Sequence, residues 1–294
     1  MEEEIGQERM KALASYRAPL DFEIEEEALL PKEKLKVVDN DYFPVLFVAP
    51  AGYAKTTSLI KFGLDKGYKV FVQECASDMM VSDLIGSWSI DDNGKTIFLA
   101  GEVPSALKLS ADLEKEFIAK YGELTEAEYE AKLKDFPKVL LILDEVNLLS
   151  PVVTKGIGSL FDSRKYVNTP IGRIYGVNRF LRVAGTMNSE NNSAGYMIDP
   201  ATRSRFFPFY IKPAEVVENL LRLKIIKDDM GKLMSQTNGL FSIREIEQVT
   251  LLSREFGYDI PTALGYVLAK FDDGERKVII DTLAALQIEV KEVW

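Results

Sequence analysis

The chain contains no histidine among its 294 residues and a single cysteine, Cys75. Those two gaps exclude a good deal of chemistry. Without histidine there is no Ser-His-Asp or Cys-His catalysis, and no imidazole ligand for a transition metal. One thiol cannot close an intramolecular disulfide or build a cysteine-rich zinc site. Cys75 ends an apolar run and reads as a packing residue. Catalysis is left to carboxylates, lysine, arginine, hydroxyls and a recruited Mg²⁺. No apolar run approaches the roughly 20 residues that span a bilayer, so no membrane partner is expected. Met1-Glu2-Glu3-Glu4 is acidic, unlike a secretory or mitochondrial signal, and a cytoplasmic location is the expectation. Basic charge is also scarce. The net charge is −10, and residues 1–40 supply −5 of it through 11 acidic and 6 basic side chains. Such a balance has no bulk attraction for DNA or anionic membranes, so nucleic acid is not an expected partner.

With 47% hydrophobic and 28% charged residues, the chain has the make-up of a globular protein and the length for one large or two medium domains. Its most informative stretch is Ala49-Pro50-Ala51-Gly52-Tyr53-Ala54-Lys55-Thr56-Thr57. An apolar run, 43–48, precedes it and a helix-compatible segment, 56–64, follows. Strand, small-residue loop, Lys-Thr and helix is the layout of a phosphate-binding P-loop. Its backbone N–H groups converge on phosphate oxygens, and the helix that follows presents its positive end to them. Lys55 would reach the β- and γ-phosphates, and Thr56 would place its hydroxyl on Mg²⁺. Both outer glycines of Gly-x-x-x-x-Gly-Lys-Ser/Thr are replaced here, by Ala49 and Ala54. A plain strand-to-helix turn carrying a solvated lysine would share this pattern.

Further along, 69–74 reads as a strand, 79–85 as a short helix broken at Gly86, and 87–100 as a hairpin around Asn93-Gly94. Residues 103–109 look helical again. The highly charged 110–137 segment reads as one or two surface helices stopped by Pro137. Val139-Leu140-Leu141-Ile142-Leu143 is continuously apolar, as suits a parallel strand buried on both faces. A helix over 151–161, a second hairpin over 164–180 and strands at 180–185 and 206–211 follow. From Pro213 onward the pattern is helical, punctuated by Gly231, Gly239, Gly257 and Gly274. The order, α/β and then all-α, puts a boundary near Lys212, giving domains of 1–212 and 213–294.

Asp144-Glu145 close the most apolar strand, in the position of a Walker B motif downstream of a P-loop. Asp144 would hold Mg²⁺ through water, since Mg²⁺ keeps most of its hydration shell. Glu145 would orient and activate the attacking water. An Asp-Glu pair can also be a simple strand cap. Asn188, 44 residues after Asp144 at the end of the next strand, can sit between Glu145 and the γ-phosphate, or serve only a turn in the polar run 188–193. Arg203 and Arg205 precede the last strand. An arginine there can reach the γ-phosphate of a neighbouring subunit, or form a surface salt bridge worth little. Ser242 suits a helix N-cap with Glu245 three residues on, as in a capping box. Arg244 then falls in the first turn, a poor place for a cation unless a phosphate partners it.

Together these segments resemble an AAA+ ATPase, and within that superfamily the MoxR type, which includes gas-vesicle and Rubisco-activating relatives and, more distantly, midasin and dynein modules. The resemblance spans roughly residues 20–272. It rests on the P-loop at 49–56, Asp144-Glu145-Val146-Asn147 as Walker B, Gly185-Thr186-Met187-Asn188 as sensor 1, Arg203-Ser204-Arg205-Phe206 as the arginine-finger segment and Phe241-Ser242-Ile243-Arg244 as sensor 2. The hairpin at 87–100 is similar to the helix-2 insert of that clade, and the one near 164–180 to its pre-sensor-1 insert. The resemblance implies a three-layer P-loop NTPase domain with a five-stranded parallel sheet, followed by a small helical lid. It implies ATP and Mg²⁺ as cofactors, with Lys55, Thr56, Asp144, Glu145 and Asn188 acting in cis. Arg205 would act in trans with Arg203 as a possible second, and Arg244 would be sensor 2. It further implies a homo-oligomeric ring, by family habit a hexamer, acting on a protein client through a von Willebrand A adaptor. The 110–137 segment is longer than the family pattern and is a candidate partner surface. A nucleotide-gated scaffold with little turnover, and a GTP-using motor on DNA like the McrB subunit of a restriction enzyme, share the core motifs.

Overall fold

The computed structural model describes residues 14–20, 30–189, 200–222, 228–237 and 240–293. Along the described residues the strands are β1 (Ala14–Ser15), β2 (Val45–Ala49), β3 (Lys69–Glu74), β4 (Gly86–Ile90), β5 (Thr96–Ala100), β6 (Val139–Asp144), β7 (Tyr166–Thr169), β8 (Gly172–Tyr175), β9 (Leu181–Asn188) and β10 (Phe207–Tyr210). Five of them form the main sheet, in the order β10-β2-β9-β6-β3. β6 pairs in parallel with β3 on one side (Val72 opposite Ile142) and with β9 on the other (Ile142 opposite Ala184). That central place explains why Val139 to Leu143 is apolar without alternation, since every one of these side chains is buried.

The helices are α1 (Lys32–Leu35), α2 (Lys55–Asp65), α3 (Val81–Ile85), α4 (Glu102–Tyr121), α5 (Glu126–Leu133), α6 (Pro151–Gly156), α7 (Pro200–Arg203), α8 (Pro213–Arg222), α9 (Asp228–Gln236), α10 (Ile243–Phe256), α11 (Ile260–Leu268) and α12 (Asp273–Ala285). α2 lies close on the sheet at Gly63, where a Cβ would come within 2.8 Å of both Leu140 and Val70 side chains. The five-stranded parallel sheet with its helices, followed by a helical C-terminal region, is the α/β P-loop NTPase fold with a helical lid.

The hairpins stand where the sequence puts them. β4 and β5 pair antiparallel with Trp88 opposite Phe98. Asp91 Oδ1 accepts the backbone N–H of Asn93 (3.0 Å) and Lys95 (2.8 Å), closing the tip. β7 and β8 pair likewise, Asn168 opposite Arg173. Ile171 and Ile174 of this second hairpin join Phe98, Ala100, Ala14 and Tyr16 in one small apolar cluster.

Three boundaries differ from the sequence reading. A helix ending at 109 and another beginning at 110 are one 20-residue helix, α4. Ser110 does not stop it, because its hydroxyl donates back to the Leu107 carbonyl (2.7 Å) and accepts Val177 N–H (3.0 Å). The helix over 151–161 ends at Gly156 and continues as a tight 3₁₀ turn at Gly158–Leu160. Gly231 and Gly274 lie inside α9 and α12, where glycine costs about 1 kcal/mol relative to alanine without ending the helix. Gly257 does terminate α10, at φ +72°. Gly239 and residues 190–193 of the polar run fall outside the described residues.

The charged 110–137 segment is anchored by rings. Phe117 lies 4.9 Å from Tyr121, 4.7 Å from Tyr129, 5.1 Å from Phe136 and 5.6 Å from Phe180, between ring centroids. Such pairs contribute about 0.5–1.5 kcal/mol each beyond their burial, and Phe180 ties the segment to the residue before β9.

The chain divides into two compact units. The described residues of the first are 14–20, 35–47, 59–189 and 200–209. Those of the second are 30–34, 48–58, 210–222, 228–237 and 240–293, so residues 48–58 group with helices from the far end of the sequence. No helix among the described residues is long and apolar enough to cross a membrane.

Candidate functional site

In the second unit the candidate phosphate loop is a sharply turned segment. Gly52 has φ +75° and Ala54 φ +50°, both in the left-handed region. Alanine pays roughly 1–2 kcal/mol there and glycine does not. Glycine at 52 has a second cause, because a Cβ on it would lie 2.1 Å from Ser242 Oγ and 3.5 Å from Arg244 Cβ. The loop is thus seated on the start of α10. Ala54 accepts from Ser58 N–H at 3.0 Å, which sets the first turn of α2. Lys55 Nζ is buried and donates to the carbonyls of Ala49 (3.1 Å) and Pro50 (2.9 Å). Thr56 and Thr57 are half-buried on the same turn, as are Pro50 and Ala51 in the loop, while Ala49 is buried in β2. Tyr53 is fully buried, its hydroxyl has no hydrogen-bond partner among the described residues, and burial first, then the Glu245 carboxylate, pushes that phenol up to about 12.

α10 is capped as its sequence suggests. Ser242 is the N-cap and Glu245 returns a carboxylate oxygen to the Ser242 N–H at 2.8 Å. Burial alone would raise the Glu245 carboxyl, but hydrogen bonds from Lys270 and Ser242 outweigh it and hold the group below its ordinary value. Arg244 is exposed on the first turn, in the same unit as the loop and beside Gly52.

In the first unit a hydrogen-bonded array joins the carboxyl ends of β6 and β9. Thr186 Oγ donates to Asp144 Oδ1 (2.5 Å) and accepts the Glu145 backbone N–H (2.9 Å). Asn188 Nδ2 donates to Glu145 Oε1 at 2.8 Å. Glu145 itself has φ +54° and ψ +45°, a left-handed glutamate at the strand end. An outlier of this kind costs about 1–3 kcal/mol and persists only when its surroundings over-determine it; here the Thr186 and Asn188 bonds do so. Asp144, Glu145 and Asn188 are therefore brought together. Arg205 belongs to a different cluster of the same unit, donating to the Gly158 carbonyl at 2.6 Å, and Arg203 is exposed at the end of α7.

Thr186 carries a role that its sequence did not reveal. Parallel pairing of Leu143 with Gly185 makes Asp144 and Thr186 the next pair in register, which is visible only once the two strands are aligned. Thr186 is fully buried. Thr186→Val is expected to destabilise the chain by about 1–3 kcal/mol, the cost of leaving buried polar groups unpaired, whereas Thr186→Ser stays near wild type. Urea unfolding of the three proteins checks this, and equal midpoints would remove Thr186 from the array.

Carboxylate oxygen, which Asp144 carries in the first unit, and hydroxyl oxygen, which Thr56 carries in the second, are each a donor type that Mg²⁺ takes beside water and phosphate. Among the described residues no group of three or more His, Cys, Asp or Glu side chains forms an all-protein cage.

Comparison with known proteins yields a family match over residues 44–206, to the AAA domain of the dynein-related subfamily. No curated protein matches the chain. Among solved structures, the chain is similar to a candidate ATPase from Cytophaga hutchinsonii, with 16% identity, a TM-score of 0.43, and coverage of 86% of this chain and 72% of that one. It is also similar to NtrX from Brucella abortus, with 12% identity and a TM-score of 0.47, covering 97% of this chain but 65% of NtrX, slightly under two thirds of its length. The matched family segment takes in more than half of the sequence, including the Lys55 loop, the Asp144-Glu145 strand end and Asn188, and the chain belongs to the dynein-related subfamily of AAA domains.

Proposed function

We propose that this protein is an Mg²⁺-dependent ATP hydrolase of the MoxR type that assembles into a ring, by family habit a hexamer, and uses turnover to remodel a protein complex. The observation that carries the reading is the array of Asp144, Thr186, Glu145 and Asn188. A scaffold that only bound nucleotide would have no use for a carboxylate held by an amide in this way. The loop 49–57 would wrap the phosphates with its N–H groups, Lys55 would neutralise the β- and γ-oxygens, and Arg244 would add a cation from α10. Asp144 and Thr56 would hold the Mg²⁺, which when bound offsets charge on the phosphate oxygens. Glu145 would take a proton from the attacking water, with Asn188 fixing the carboxylate. Arg205, with Arg203 beside it in sequence, would act on the nucleotide of a neighbouring copy, which makes oligomerisation a requirement of the chemistry. The client, reached directly or through a von Willebrand A adaptor, and a cytoplasmic setting are part of the same proposal by analogy.

One observation favours the scaffold as a second reading. Ala54 occupies a left-handed position where the family has glycine, at a cost of roughly 1–2 kcal/mol that glycine would not incur, and slow turnover would follow from such a strained loop. Steady-state phosphate release combined with a nucleotide-dependent mass measurement decides between the readings. Turnover together with ATP-driven assembly supports the motor, and assembly without turnover supports the scaffold. Competition between ATP and GTP separates both from an McrB-like GTP user. Within this experiment Lys55→Ala is expected to lose nucleotide binding by at least about 100-fold, since a buried charge-assisted contact to phosphate is removed. Tight ATP binding by the variant, measured by calorimetry, would take Lys55 out of the site.

A further inference from the structure

Arg205 occupies the space that a side chain at position 158 would fill. Its Nη1 donates to the Gly158 carbonyl at 2.6 Å, and a Cβ built on Gly158 would stand 2.7 Å from that same nitrogen. Asp162 Oδ2 lies further off, 4.0 Å from Nη1. Asp162 is itself clasped by Arg164, through Nη2 at 2.6 Å and the backbone N–H at 2.9 Å. Among the described residues all of these Arg205 contacts run through Nη1, and the Arg205 side chain remains 36% exposed. A guanidinium carries five N–H donors in a rigid planar fork. One nitrogen of the fork is therefore tied down, while Nη2 and Nε make no hydrogen bond among the described residues.

We infer that Gly158 is a positioning residue for Arg205: its carbonyl holds one nitrogen, and its missing Cβ makes room for the guanidinium. The remaining donors are then presented to an anion, which under the reading above is the γ-phosphate bound by the next copy in the ring. Tethering one end of a long, flexible side chain in advance removes rotamer freedom before the anion arrives. The inference rests on the assignment of Arg205 as a finger acting in trans, and it extends that assignment to a residue no motif marks.

Gly158→Ala is a clean probe. Gly158 opens a 3₁₀ turn and is not among the positive-φ glycines, so alanine suits its backbone. Among the described residues, and apart from its own chain neighbours and turn, Arg205 alone lies within 4 Å of the added methyl. Phosphate release, ATP affinity and melting temperature are measured for wild type, Gly158→Ala, Arg205→Ala and the double variant. Gly158→Ala is expected to keep its melting temperature and ATP affinity while losing up to about 100-fold in turnover, the scale of a misplaced catalytic group. The double variant is expected to be no slower than Arg205→Ala. Mixing Gly158→Ala with Glu145→Gln is expected to recover activity, because the second protein supplies a well-seated arginine to the intact sites of the first. Wild-type turnover in Gly158→Ala beside an inactive Arg205→Ala overturns the seat alone, and so does further slowing in the double variant. Wild-type turnover in Arg205→Ala removes the finger assignment, and the inference falls with it.

Discussion

Glu145→Gln is expected to bind ATP as wild type does and to release phosphate about 100-fold more slowly or worse, the usual range for removing a general base being 10²–10⁴. The substitution changes little else. Glutamine has the same shape and keeps an Oε1 to accept the Asn188 amide, which donates to Glu145 at 2.8 Å. The backbone N–H at position 145 still reaches Thr186. What disappears is the capacity to take a proton. ATP affinity by fluorescence titration and phosphate release in a single turnover separate the two effects. Release at the wild-type rate would mean that Glu145 only caps its strand.

Arg205→Ala is expected to have the larger effect, about 10³-fold or more in turnover, on the scale known for arginines that neutralise transition-state charge from a neighbouring subunit. Assembly should survive, because the guanidinium is partly exposed and its clearest protein partner is one backbone carbonyl. The distinguishing result is complementation. An equimolar mixture with Glu145→Gln places intact arginines next to intact Glu145 sites at some interfaces and should regain measurable hydrolysis from two inactive proteins. Failure to regain it, with mixed assembly verified by mass, would show that the site is not shared.

Much of the fold can be read from the sequence because burial imposes simple patterns. Val139 to Leu143 is unbroken apolar sequence, and it is buried between two parallel neighbours. Asn93-Gly94 announces a hairpin, and Gly94 adopts φ +76° at its tip. Helix boundaries were harder to read. Ser110 reads as a change of composition, yet its hydroxyl is satisfied within the helix and by Val177, 67 residues away. A bond across that separation leaves no local mark. The candidate site divides along the same line. Lys55, Asp144, Glu145 and Asn188 follow linear motifs. Thr186 and Gly158 act through strand register and through the absence of a side chain, and neither can be seen without coordinates. Gly52 lies between these cases. It survives in a loop whose outer glycines are alanines, and its contact with Ser242 supplies the reason.

The lone sulfhydryl has a practical consequence. Cys75 is buried beneath the strand ends, and burial first, then the carboxylates of Asp144 and Glu145, pushes its thiol up to about 12. At neutral pH it is neither ionised nor reachable, so maleimide dyes should leave the folded chain unmarked. The natural sequence is thus ready for single-fluorophore work: one cysteine introduced at the exposed hairpin tip, for example Asn93→Cys, would carry the only label and report the movement of that tip with no other cysteine replaced.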